Sequence, residues 1–546
     1  MRHCSRSSLV YFVIGVAAAI SCMIYFRRAH TNLDPKIDII KTNTTTTTGA
    51  LNINTMSKPV ITVGSGLAGL SAAYEALKAG AKVHMLERAP KPGGNSIKAS
   101  SGINGAGTRF QKDKDITGDS SAKFFEDSTK SAGTRLLSQT GGVLSEEPRR
   151  ELIEILAAQS ADAVNWLADD VGVDLRTVAQ LGGHSIARTH RGASGPPPGA
   201  AIVGALLKKL TADPGFTLTT SANVEALTVS SETGAVTGVR YTVADADGKT
   251  GETQEISGPV IFATGGFAGD AHGLLAKHRP DLAGMPSTND ARPGSHGLLA
   301  DAAVGAAFVD MDSVQIHPTG FVDPKDPVAG YKFLAAEALR GEGGILLTSE
   351  GGRFVNEMER RDVASAAIMA LPPRSVQGED ASVRQWDVTL LLDPGASEAA
   401  GSHLGFYIFK GLMQKVKVKD LPPDVIAAVD KYAAAVAAGR DDEFGRKTFG
   451  HWRLPSGEAN REEEVAIGTV TPVTHFTMGG VAFNAKTQVL KRKGDALVPV
   501  DGVWAAGEIT GGIHGDNRLG GSSLLECAVF GRIAGSEAAK SSLSGA

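Results

Sequence analysis

Gly64, Gly66 and Gly69 fall in the order G-x-G-x-x-G within Gly64-Ser65-Gly66-Leu67-Ala68-Gly69, and a carboxylate, Glu87, follows further on. Glycines at this spacing suit the cradling of a pyrophosphate. The first makes a tight turn, the second lets phosphate approach the backbone, and the third lets a helix pack closely on a strand. The helix start adds amide N–H groups and a positive dipole end. A carboxylate closing the next strand can accept hydrogen bonds from ribose hydroxyls. A lone G-x-G-x-x-G also occurs in turns that are purely structural. Here the elements that would position it are present in order. Pro59–Val63 reads as a short buried strand, a helix follows the glycines, and Lys82–Leu86 reads as a second strand ending at Glu87. Together they predict dinucleotide binding.

A second glycine-rich stretch, KPGGNSIKASSGINGAGT, begins at Lys91. Its position soon after Glu87 suits FAD better than NAD, because a long flavin nucleotide needs further loops along its isoalloxazine end. Two later apolar strands can pass close to the same ligand: Val260–Phe262 running into Ala263-Thr264-Gly265-Gly266, and Gly502-Val503-Trp504-Ala505-Ala506-Gly507 followed by Glu508. A helix predicted from about Gly521 would point its N-terminal amides at negative charge on the reduced flavin. The expected fold class is α/β. A Rossmann-like FAD-binding domain is built from both ends of the chain, 58–312 and 476–546, around an inserted α+β capping domain, 313–475. The Ala-rich stretch Val425–Gly439 reads as a helix of that cap. Closing the cap over a substrate would expel water and strengthen the charges in the cleft.

The whole chain fits this frame. Its 546 residues allow two substantial domains, and 42% hydrophobic with 21% charged residues reads as a soluble globular protein. The 66 glycines suit many tight turns. A net charge of −4 provides no basic field for nucleic acid. The three cysteines, Cys4, Cys22 and Cys527, have no metal or redox spacing, so no metal is expected and no disulfide is needed. Residues 1–57 differ from the rest. The apolar run Leu9–Phe26 reaches roughly 27 Å as a helix, just enough to cross a bilayer core. Arg2 and Arg6 precede it, Arg27 and Arg28 follow it, and no acidic residue occurs before Asp34. It reads as a retained signal anchor or a removed targeting peptide, the anchor being favoured, with a mitochondrion or endoplasmic reticulum as the expected organelle. A polar Thr-rich linker separates it from the folded enzyme.

Several polar clusters remain beyond residue 312: Gln315-Ile316-His317-Pro318-Thr319, Ala336–Gly341, Arg353–Glu357 continuing to Arg360-Arg361-Asp362, Thr474–Gly480, and His514–Gly521. Each has a plain reading. His317 before Pro318 could cap a strand end. Glu337 and Arg340 could be a surface helix pair worth a few tenths of a kcal/mol. Arg360-Arg361-Asp362 could be a solvated charge run, and Gly479-Gly480 only a turn. All of them in this order is a different matter. With KASSGINGAGT, AQLGGHSIARTHR, QIHPTGF, RGEGGILL, GRFVNE, HFTMGG and GEITGGIHGDNRLGG, the chain resembles the soluble FAD-dependent fumarate reductases of the succinate dehydrogenase/fumarate reductase flavoprotein family, most of all the fungal-type single-subunit enzymes. The resemblance runs from about Lys58 to the C-terminus.

The resemblance implies that fumarate is reduced to succinate. His317, His475 and Arg518 would hold its carboxylates, with Gly521 and Glu337 beside it. Arg361 would donate the proton, and Glu337 and Arg340 would relay protons to it. FAD would contact Ala68, Glu87, Asn95, Ser96, Ser101, Gly102, Val224, Phe476, Glu508, Ser523 and Leu524. The chemistry is consistent with these roles. A dianion needs fixed positive charge and planar donors, which arginine supplies. Arginine is an unusual general acid with a pKa above ~12, and it needs prompt reprotonation. Relatives often carry Gly-Asp-Gly-Leu where this chain has Ser295-His296-Gly297-Leu298. Relatives in membrane complexes attach FAD to a His in the second glycine-rich segment. Lys98–Gly102 has none, so FAD is expected to be non-covalent. With no haem motif and no iron–sulfur cysteine set, electrons are expected from free reduced flavin or a separate reductase. The rival readings are an L-aspartate oxidase-like or ketosteroid dehydrogenase-like enzyme, or a tethered flavin-binding protein without turnover.

Overall fold

The structure is a computed structural model that describes residues 57–136, 143–374 and 383–544. The run Leu9–Phe26 lies outside the described residues. Among those described, no helix is long and apolar enough to cross a membrane.

The N-terminal part opens with β1 (Val60–Val63), α1 (Leu67–Lys78) and β2 (Val83–Leu86), followed later by β3 (Phe216–Thr219) and β4 (Val260–Phe262). Every residue of β1 and β4 is buried. Such continuous apolar runs belong to parallel strands covered on both faces. Gly64 ends β1 at φ +103°, and a Cβ there would lie 2.4 Å from the Ala263 carbonyl oxygen. At Gly69, in the first turn of α1, a Cβ would lie 2.0 Å from the Gly64 carbonyl oxygen. Only glycine permits these approaches, and they set α1 directly on the turn.

The inserted part is antiparallel. Its strands are β5 (Val314–Phe321), β6 (Phe333–Leu334), β7 (Ile345–Leu347), β8 (Val388–Leu392), β9 (Gln414–Lys417) and β10 (Glu464–Thr477). They run β6-β5-β10-β8-β7, with β9 also paired to β10. The short helix α2 (Glu337–Gly341) and α3 (Arg361–Met369) belong to this part, as does a helix over Pro423–Ala437 where the Ala-rich stretch predicts one. The β5–β10 pairing slips in register between Gln315 and Ile316 and again between His317 and Gly320. Irregularities of this kind re-aim side chains.

The chain then returns to the first sheet through β11 (Gln488–Lys493) and β12 (Ala496–Ala505). The six strands order as β11-β12-β4-β1-β2-β3, with Val260 opposite Val503 in a parallel pairing. Strands from both ends of the chain therefore form one α/β sheet, with the antiparallel part inserted between them. The C-terminal helix α4 (Ser522–Ser544) packs on α1. A single strand, β10, runs through residues 475 and 476 without a break.

Candidate active site

A cavity of about 640 Å³ runs from the glycine turn toward the C-terminal loop. Gly64, Gly66, Ala68 and Glu87 line one end. Asn95, Ser96, Ser101, Gly102 and Val224 line its length, and Phe476, Glu508, Ser523 and Leu524 lie further along. Gly69 is not in the wall; it packs behind the turn. No side chain caps α1 at Gly66, and the Leu67 N–H donates to Ser96 Oγ at 3.0 Å. Glu87 is buried at the end of β2. It accepts from the Ser65 N–H at 2.9 Å and the Ala89 N–H at 2.7 Å. The long shape, the backbone lining at the turn and the carboxylate fit a dinucleotide. His296 is buried between Phe267 and Phe308, with ring centroids 5.2 and 6.0 Å away, while its neighbours Ser295 and Leu298 line the cavity.

Arg361, His475, Arg518 and Gly521 line the other end of the cavity. Arg361 begins α3, and its Nε donates to Glu337 Oε2 at 2.7 Å. Glu337 begins α2 and also accepts from the Gly182 N–H at 2.8 Å. His317 lies within β5, fully buried, with its ring centroid 5.2 Å from that of His475. His317 Nδ1 lies 3.2 Å from both the backbone nitrogen and the carbonyl oxygen of Thr319. Its Nε2 is buried with no partner among the described residues. His475 Nδ1 sits 2.7 Å from Thr288 Oγ1. The Arg518 guanidinium stacks 4.2 Å from the Phe476 ring, and its Nε has no partner among the described residues. Arg340 is also buried. It donates to the Glu357 carbonyl at 2.6 Å and makes no described hydrogen bond to Glu337. His317, Glu337 and Arg340 stand behind the cavity wall.

These positions rule out two of the plain readings. Glu337 and Arg340 are 2% and 1% exposed, so they are not a surface helix pair. Arg361 is 5% exposed, so it is not part of a solvated run. Burial alone would raise the Glu337 carboxyl, but Arg361 and Arg340 outweigh it and bring it down to about 2. Burial, with Arg361 nearby, pulls the Arg518 guanidinium down to about 9. Burial also pushes both His317 and His475 well below the ordinary histidine range, with Arg361 adding to each. Both rings are neutral at neutral pH. This end therefore holds crowded buried cations and unpartnered N–H groups that an anion would relieve. Glu508, partly buried in the cavity wall, is pushed up to about 7 by desolvation, with Glu526 adding to the rise and the Thr477 N–H opposing it.

Two contributors were given no role by the sequence. Gln315 contacts both Arg361 and Arg518. Asn289 links the cavity ends, accepting from Asn95 at 2.6 Å and donating to the His475 carbonyl at 2.8 Å.

Residues 59–524 match the FAD binding domain family. The chain is 39% identical over 497 residues to the fumarate reductase of Schizosaccharomyces pombe, covering 88% of this chain and 90% of that one. The chain belongs to the fumarate reductase family of FAD-binding flavoproteins. It is 40% identical over 496 residues to fumarate reductase 1 of Saccharomyces cerevisiae, covering 87% and 97%. The solved open conformation of a flavocytochrome c3 fumarate reductase aligns with a TM-score of 0.66 at 31% identity, over 90% of this chain and 79% of that one. The α/β fold with an inserted antiparallel part agrees with that alignment.

Proposed function

We propose that this protein is an FAD-dependent fumarate reductase that makes succinate with an arginine as proton donor. The observation that carries the reading is Arg361, buried, held by Glu337, and facing the same cavity end as Arg518 and His475, with His317 packed behind His475. The named activity of its fungal relatives supports it. FAD, when bound and reduced, would supply the two electrons as a hydride to one alkene carbon. Arg518, His475 and, packed against His475 from behind the wall, His317 would hold the carboxylates and the charge that builds on the substrate. Arg361 would protonate the second carbon, and Glu337, its direct partner, would return the proton. Arg340, beside Glu337 in charge though not bonded to it, would bring protons from further out. The backbone at Gly64, Gly66 and Ala68 would hold the pyrophosphate, and Glu87 the ribose. Asn95, Ser96, Ser101, Gly102, Val224, Phe476, Glu508, Ser523 and Leu524 would line the rest of the cofactor.

The missing histidine in Lys98–Gly102 supports non-covalent FAD. Buried arginines favour a dicarboxylate over a steroid, which offers them no charge to pair with. Free reduced flavin or a partner reductase would supply electrons. The run Leu9–Phe26 would tether the enzyme to an organelle membrane. The test is anaerobic oxidation of chemically reduced FMN by the purified protein, with and without fumarate. The expected result is fumarate-dependent oxidation with stoichiometric succinate. Bound FAD with no response to fumarate, whichever donor is supplied, would overturn the reading.

A further inference from the structure

Gln315 sits on β5 just before the first slip in register, 3% exposed. Its Oε1 accepts from Arg361 Nη1 at 2.8 Å and from Arg518 Nη2 at 2.9 Å. Its Nε2 donates to the Arg518 carbonyl at 2.7 Å and to Asn517 Oδ1 at 3.1 Å. A glutamine amide has two donors and one oxygen with two lone pairs, so all of its capacity is used. The partners also fix which way the amide points. Guanidinium groups only donate and a backbone carbonyl only accepts, so the oxygen must face the arginines.

We propose that Gln315 is the positioning residue that holds Arg361 and Arg518 at a set spacing without cancelling their charge; this rests on the fumarate reductase reading above. Two guanidinium groups in a buried space repel each other. A carboxylate between them would pair with both and compete with the substrate. An apolar side chain would leave two buried N–H groups unpaired. A neutral amide oxygen draws both cations to one point and leaves them available to a dianion. Gln315 also joins two parts of the chain, because Arg361 comes from the inserted part and Arg518 from the C-terminal loop. That loop is anchored from the other side by Asn517, whose Nδ2 donates to Ser131 Oγ at 2.8 Å. The spacing of proton donor and carboxylate clamp is therefore set only when the two parts meet.

The test compares the wild-type full chain, with FAD bound, against Gln315→Met and Gln315→Glu, using Arg361→Lys as the turnover control. Bound FAD and Tm report folding. KM, kcat and the Kd of succinate, read from the change it causes in flavin absorbance, report the arginine pair. Gln315→Met is expected to keep its FAD while KM rises and kcat falls, each by about 10- to 100-fold, the size of a lost hydrogen bond to a charged group. Gln315→Glu keeps the shape of the side chain. It should bind succinate more weakly than Gln315→Met, and recover affinity as the pH is lowered and the introduced carboxyl takes up a proton. FAD-loaded variants with KM and kcat within about twofold of wild type, or a Gln315→Glu protein with no recovery at low pH, would overturn the proposal. Succinate titration needs no turnover. Wild-type protein that binds succinate but never reduces fumarate would overturn the functional reading, while the ranking of the variants still decides the role of Gln315.

Discussion

At the glycine turn the cavity wall is mostly backbone. Gly64, Gly66 and Ala68 offer almost no side chain, and Glu87 is the one charged group of the turn, already bonded to neighbouring amides. At the other end Arg361, Arg518, Glu337 and two histidines crowd into a buried space, and Arg518 Nε and His317 Nε2 have no partner among the described residues. The first end is stable as it stands and recognises by shape and amide direction. The second carries unrelieved charge, with Arg518 drawn down to about 9 by burial and its neighbour. A site can be assembled cheaply from backbone, but a site that must handle a dianion keeps its cations buried and waiting. The two ends should accordingly fail in different ways.

The largest effect is expected at the charged end. Arg361→Lys should lower kcat by about 10²–10⁴-fold, the range of general acid catalysis, with FAD retained. A single-turnover measurement in which the variant reoxidises reduced flavin with fumarate at the wild-type rate would refute the proton-donor role. Glu508, between the two ends, should show itself in stability. Its folded pKa of about 7 lies above the ordinary 4.5, so its contribution is full below about pH 4.5 and is lost as the pH rises through 7. Protein stripped of cofactor should lose roughly 3 kcal/mol from this group across that window. Glu508→Gln, which can still accept from the Thr477 N–H, should remove that part of the slope in chemical denaturation; an unaltered slope would show that Glu508 is ionised throughout. The smallest effect belongs to the glycine turn. Ser96→Ala removes the hydroxyl that accepts from Leu67 N–H, a helix-start contact worth about 1 kcal/mol, and should weaken FAD binding about fivefold. The KM for fumarate should stay put, and a matching rise in KM would erase the contrast between the two ends.

The glycine end was readable from the chain because its chemistry lies in contiguous backbone. Gly64 to Glu87 carry strand, turn, helix and acid in order, and the structure keeps that order. The two-ended sheet was readable too, since Val260–Phe262 and Gly502–Gly507 are apolar runs ending in glycine. The charged end was not readable in the same way. Glu337 and Arg340 stand three apart whether they are on a surface or in a core, and spacing says nothing about burial. Their grouping came from resemblance to a family. Gln315 stood in the polar cluster Gln315–Thr319 but received no role, because a glutamine in a strand becomes significant only when Arg518, far along the chain, folds against it.

The parallel sheet has a consequence for how the protein is made. β4 pairs with β1 on one side, and its other edge waits for β12. During synthesis that edge stays open until nearly the whole chain has emerged, and an open apolar strand edge invites association with other chains. Ser523 and Leu524, part of the cavity wall, arrive later still. Cofactor loading must therefore follow completion of the chain, and a message truncated shortly before residue 503 would yield an unpaired β4 edge rather than a weak enzyme.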